Sequence, residues 1–326
     1  MSTLKLRFRF VGAGGGSFSP ASANYTLTST GTGTMNWTAS NTATWLTLSA
    51  ASGTLAAGAS TTVTATIHAT ANSFAAGNYS DTITLTNASN GSGNTTRTAN
   101  LAVLSTNANL SSLALSTGSL SPVFSSDTTS YTATVANGVD IITLTPTVQD
   151  STATSTVHGT TVSSGTSSGP LPLLVGGNMI NIVVTPQSGT PTNTYSVSIT
   201  RQSSIETWRQ TWYGTSNNNG DAADNADPYH TGLTNLTVFA FFGPTRNPAT
   251  ASVALLPQPQ LNGGKFYYSF TQPADVTGVI YGAEWSANLL SSWAQITDTG
   301  GGILHIFSVP VGRNENMFIR LKATGQ

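Results

Sequence analysis

Three carboxylates gather in one short stretch of this chain. Asp221, Asp224 and Asp227 fall within NNNGDAADNADPYHTGLTNLT, which also holds His230 and Asn235. By composition alone this is a solvated acidic loop, and it is the one loop that could carry chemistry. His230 stands among the aspartates without the paired-histidine spacing that selects a transition metal. A second chemistry is aromatic. Trp212, Tyr213, Trp285 and Trp293 in the last third could stack on sugar rings while neighbouring amides and hydroxyls hydrogen-bond them. Each reads first as the large apolar filler that a sparsely charged β domain needs, and second as a sugar contact. Catalysis would require a nucleophile with its base, or paired carboxylates in a pocket. The twelve Asp and Glu and four His residues are instead spread along the chain, with no GxSxG, HExxH or phosphate-loop motif. The expectation is a protein that is not an enzyme.

Only 7% of the 326 residues are charged, against about a quarter in ordinary soluble domains. Thr, Ser, Asn and Gly fill the polar positions. Because 38% of residues are hydrophobic and recur in alternating runs, a folded all-β chain is expected rather than disorder. A net charge of −1 supplies no basic footprint for nucleic acid or an anionic membrane. The chain has no cysteine, which removes disulfides and thiolate chemistry together. No run of about 18 apolar residues is present to span a bilayer. The opening MSTLKLRFRF alternates apolar and basic residues instead of forming a signal-peptide core. Export is therefore not encoded in this stretch, and a fragment of a longer secreted protein is expected.

Leu4, Leu6, Phe8 and Phe10 share one parity and Lys5, Arg7 and Arg9 the other, the pattern of a half-buried strand. It reads as a first or edge strand, or as one donated to a neighbouring copy. Residues 1–16 are this strand with its glycine linker. Residues 17–105 contain Thr- and Val-rich runs separated by Gly, Asn and Ser clusters, which predicts a small sandwich. In TTVTATIHA, His68 falls on the solvent parity. Residues 106–202 show five apolar alternations, at Leu113, Tyr131, Ile142, Ile180 and Tyr195 and their neighbours, again a sandwich. His158-Gly159 sits between STV and TTV, where a tight hairpin needs positive φ. Residues 203–326 open with one short helix, with Ile205, Trp208 and Trp212 at helical spacing, Ser204 as its cap and Gly214 as its stop. Strand-like runs follow. The expected architecture is all-β, with three consecutive sandwich-type domains.

Three resemblances refine this. NWTASNTATWLTLSAASGTLAAGASTTVTATI resembles the BACON-like, immunoglobulin-type bacterial sandwich at Trp37, Trp45, Leu46, Gly53 and Gly58; that likeness implies that Trp45 fills a core. Residues 110–201 resemble a bacterial cadherin-like β-sandwich along their whole length. Asp127, Asp140 and Asp150 are too scattered to reproduce the acidic motifs that bridge vertebrate cadherins with calcium. Residues 206–240 with the final hundred resemble a C-terminal module of large secreted bacterial proteins, matching at Trp208, Arg209, Tyr213, Gly214, Gly220 to Asp224, Ala226 to Pro228 and Gly232 to Leu236. That module's loop looks like a calcium loop, since hard cations need several closely spaced oxygens around a glycine turn. Here Tyr229, His230 and Thr231 replace Asp, Gly and Asp, and Val238 stands where a Glu would close the shell. The resemblance leaves Asp221, Asp224, Asp227 and Asn235 as a weak calcium set; no other cofactor is expected.

The leading functional expectation is a non-catalytic structural or adhesive array, extracellular or on the cell surface, that spaces and presents surfaces. Carbohydrate binding through exposed aromatics is its main rival. Assembly into a surface filament, through uncharged edges or the basic first strand, is the third. Expected partners are a cell-surface polysaccharide, a protein, or another copy, with no nucleic acid and no membrane span in this chain.

Overall fold

The computed structural model describes residues 8–289, 292–311 and 317–325. In the first sandwich, alternation along each strand turns aliphatic and aromatic residues inward and hydroxyls outward. A five-stranded sheet runs in the order Phe8–Ala13, Thr95–Leu104, Gly77–Asn87, Met35–Ser40, Ser52–Leu55. It faces a three-stranded sheet of Ser22–Thr28, Ser60–Ile67 and Leu46–Leu48. Phe10, Leu27, Trp37, Trp45, Val63, Ile83 and Leu101 meet between them, and Trp45 is buried. Strand Phe8–Ala13 lies parallel to Thr95–Leu104, with Phe10 opposite Leu101. Because Phe10 is fully buried, this is an edge strand of its own sandwich; Leu4, Lys5, Leu6 and Arg7 lie outside the described residues. His68 is exposed and caps a single helical turn by accepting the Thr70 N–H. Gly53 allows its strand to pass the Trp37 indole, since a Cβ there would come within 2.7 Å of the ring.

The second sandwich stacks Ser130–Val135, Asn193–Arg201, Gly176–Thr185, Thr154–Val157 and Thr160–Val162 into one sheet. The pairs Leu144–Val148 with Leu110–Leu115, and Ile141–Ile142 with Leu171–Pro172, supply the other strands. The run at Ile142 and Leu144, one alternation in the sequence, thus divides between two partners. His158 (φ 49°) and Gly159 (φ 81°) form the two-residue turn joining Val157 to Thr160, the double positive-φ geometry that matches strand twist. Tyr195 is fully buried, and its hydroxyl accepts the Leu110 N–H at 3.0 Å and donates to the Ser126 carbonyl at 2.9 Å.

The third part departs from the sequence reading in two ways. Helix α1 (Ser204–Tyr213) is capped by Ser203, not Ser204. Ser203 and Glu206 form a reciprocal capping box, and Gly214 ends the helix at φ 71°. Ser204 is instead buried inside α1, its hydroxyl donating to the Asp275 carbonyl. A second helix, α2 (Asn235–Phe242), is also present, capped by Thr234. Its sequence NLTVFAFF is apolar almost all round, so it carries no amphipathic period and is held by burial. Val238, Phe239 and Ala240 are buried. Beyond it, the sheet of Gln260–Asn262, Lys265–Thr271 and Leu304–Pro310 packs on that of Ala294–Ile296, Val279–Ser286 and Phe318–Gly325. Tyr281, Ala283, Ile296, Phe307 and Val309 fill the space between, together with Ala240. The whole remains mostly β.

Both junctions are closed by hydrogen bonds. At the first, the Ser105 N–H donates to Gln187 Oε1 at 3.0 Å and the Ser188 N–H donates to the Ser105 carbonyl at 3.0 Å. At the second, the Asn137 N–H donates to the Thr207 hydroxyl at 2.8 Å, and that hydroxyl lies 3.5 Å from Gln202 Oε1; within the second sandwich, Asn137 Nδ2 donates to the Gln202 carbonyl at 3.0 Å and Arg201 Nε to the Asn137 carbonyl at 2.8 Å.

Candidate functional site

Helix α1 and the N-terminus of α2 position the acidic loop between them. On α1, Trp208 enters the core and Arg209 follows it inward, only 5% exposed. Arg209 Nη2 donates to Asp224 Oδ1 at 2.5 Å, and Nη1 lies 3.5 Å from the Ser216 carbonyl. Asp224 Oδ2 accepts Asn218 Nδ2 at 3.0 Å, and the Asp224 N–H returns a bond to Asn218 Oδ1 at 2.7 Å. Asp227 accepts the Thr231 N–H at 2.9 Å, the Thr231 hydroxyl at 3.2 Å and the Gly232 N–H at 2.8 Å. These bonds, the Thr231 N–H first, hold its carboxyl below the usual carboxylate range.

Asn235, the first residue of α2, is 1% exposed. Its amide nitrogen donates to the carbonyls of Asp221 at 2.7 Å and Ala223 at 2.8 Å, while its oxygen accepts the Tyr213 hydroxyl at 2.5 Å. Burial pushes the Tyr213 phenol up to about 12, with Tyr229 and Asp221 adding to the rise. Asp221 and His230 are exposed, and His230 sits at φ 53°. The structure therefore brings Asp224, Asn235 and the Asp221 carbonyl into one bonded network and leaves the Asp221 carboxylate outside it. Among the described residues, no three Asp, Glu or His side chains gather as a metal-binding group.

The aromatic candidates part ways. Trp212 packs half-buried on the core around Trp208 and Phe239. Tyr213 meets Trp208 edge-on, ring centres 5.8 Å apart. Trp285 leans half-buried on the core of the last two sheets. Trp293 lines an open groove of about 540 Å³ with Phe266, Tyr268, Met317, Ile319 and Arg320. The Arg320 guanidinium covers one face of its ring at 4.1 Å. Arg320 is fixed in turn by buried Glu284, whose Oε2 accepts its Nε at 3.0 Å and Nη2 at 2.7 Å; Glu284 Oε1 accepts Lys322 Nζ at 2.8 Å. The Lys322 and Arg320 bonds hold the Glu284 carboxyl below its ordinary range.

Sequence reasoning did not give Arg209, Glu284 or Arg320 their roles. Arg209 was visible only as part of a motif. Glu284 and Arg320 share one face of paired strands, a partnership that only register reveals. His305 Nδ1 lies 2.6 Å from Asp298 Oδ2, the arrangement of a hydrolytic dyad, yet its Nε2 faces Gln272 Oε1 at 3.4 Å.

Residues 110–202 match the family described as a cadherin-like β-sandwich domain. That segment is the second sandwich. A protein of Evansella cellulosilytica named "Putative membrane protein" is 39% identical over 98 residues, which are 30% of this chain and 15% of that protein. The chain thus spans a small part of that relative's length. Among solved structures, a Porphyromonas gingivalis protein of unknown function covers 61% of this chain and 98% of its own, at 10% identity and a TM-score of 0.29. The Escherichia coli chaperone DraB covers 60% and 96%, at 11% identity and a TM-score of 0.24. Likenesses this distant carry no argument. No described helix is long and apolar enough to cross a membrane.

Proposed function

We propose that this chain is a non-catalytic structural or adhesive component of a bacterial cell exterior, one that sets the spacing of sandwich domains and presents their loops and edges. The observation that carries the reading is the pair of junctions, each bridged by a hydrogen bond between a side chain and the neighbouring domain's backbone. Fixed junctions are what a spacer requires, and a cadherin-like sandwich between them is in keeping with such a role. Limited proteolysis of the native chain tests the reading. Cleavage at residues 105–109 and 201–203 is expected no faster than unfolding of the adjoining domains; rapid release of intact single domains would argue against it.

The groove beside Trp293 favours a second reading, in which the last domain binds a surface polysaccharide. Phe266, Tyr268 and Trp293 supply apolar ring faces, and Arg320, half-exposed on its Glu284 anchor, supplies donors at the rim. Retention on polysaccharide films that Trp293→Ala abolishes and Trp212→Ala leaves intact supports this reading; equal retention of both variants removes it.

A further inference from the structure

The calcium-type loop that residues 206–240 resemble can be tested oxygen by oxygen. A calcium ion takes roughly six to eight oxygens, several of them carboxylate. Of the four side chains that the resemblance would assign here, three have their oxygens engaged, and the exposed Asp221 carboxylate stands outside the network. Asp224 serves Arg209 and Asn218, Asp227 serves the turn at Thr231 and Gly232, and the Asn235 oxygen holds the Tyr213 hydroxyl. Asn235 also turns its nitrogen, not its oxygen, toward the carbonyls of Asp221 and Ala223, which places N–H groups where a cation would sit. Tyr229, His230, Thr231 and Val238 occupy further ligand positions without a carboxylate. The residues present do not fit a calcium ion.

We propose that Arg209 is this loop's own cation, and that its guanidinium together with the Asn235 amide closes residues 216–236 without a metal. Three features support this. Arg209 is 5% exposed, so its charge needs a local counter-ion, and Asp224 at 2.5 Å is that counter-ion. Asn235 is 1% exposed with both ends of its amide bonded. The loop is also seated on the final strand, since a Cβ added at Gly325 would lie 3.7 Å from Asp224 Oδ2. A covalently attached charge thus ties α1 to the loop, and the loop keeps its geometry in calcium-free surroundings.

The test uses the full chain and its tryptophan fluorescence on heating, since Trp208 and Trp212 lie on the same helix as Arg209. The unmodified protein should melt at the same temperature in chelator and in millimolar calcium. Arg209→Met should lower the transition by several degrees by leaving Asp224 without its counter-ion. Asp221→Asn, which removes the carboxylate outside the bonded network, should melt as the unmodified protein does. A transition raised by calcium, an Arg209→Met variant as stable as its parent, or an Asp221→Asn variant as damaged as Arg209→Met would each overturn the proposal. The calcium comparison on unmodified protein decides the matter even where a variant fails to fold.

Discussion

The Thr207 hydroxyl on α1 accepts the backbone N–H of Asn137, a loop residue of the second sandwich, at 2.8 Å. One side chain thereby fixes a helix of one domain to the backbone of another. Thr207→Val keeps the shape and removes the acceptor, which should cost about 1–3 kcal/mol at the junction, the penalty for stranding a partly buried donor. Amide hydrogen exchange at Asn137 should accelerate in the variant. Unchanged exchange would mean that the Thr207 hydroxyl does not hold the junction.

The first sandwich contains a buried carboxylate whose protonation links stability to pH. Asp81 accepts from the Ala43 N–H at 3.0 Å, Asn41 Nδ2 at 3.1 Å, the Thr82 N–H at 2.8 Å and the Thr42 hydroxyl at 3.0 Å. Burial alone would raise its carboxyl; the donors outweigh that, and the carboxyl lies below its ordinary value. The folded state thus binds its proton more weakly than the unfolded one. Its stabilisation is complete above the unfolded value of about 3.9 and disappears as pH falls through the lower folded value. Asp81→Asn should cost about 1–3 kcal/mol at neutral pH and flatten the acid limb of the first domain's unfolding curve. An acid limb as steep as the parent's would refute the assignment.

In the second sandwich, Tyr195→Phe should destabilise by about 1–3 kcal/mol, because the buried Leu110 N–H and the half-buried Ser126 carbonyl both lose their partner. Denaturant midpoints measured by circular dichroism check this. A midpoint equal to the parent's would show that water replaces the hydroxyl.

Much of the fold was legible because period-two alternation is written directly in residues such as Val63, Ala65 and Ile67, and because His158-Gly159 has the chemistry of its turn. Helix α2 was not legible: NLTVFAFF has no polar face, and nothing local separates a short buried helix from a buried strand. The hairpin of Thr154–Val157 and Thr160–Val162 was legible at its turn, but its place in the sheet was not: it is set by Thr154–Val157 pairing with Gly176–Thr185. At the acidic loop, the sequence displayed the carboxylates but not the Arg209 that neutralises one of them. That contact crosses 15 residues and exists only once α1 has turned Arg209 inward.

The chain has no cysteine, so pairs of introduced ones can carry spin labels without interference. Labels at exposed Thr62 and Thr161 report on the first junction, and labels at Thr161 and exposed Thr271 on the second. Pulsed electron–electron distance measurements should give one narrow distribution for each pair, as hydrogen-bonded junctions and a spacing role require. Broad distributions for both pairs would contradict the account, because domains that swing freely set no spacing.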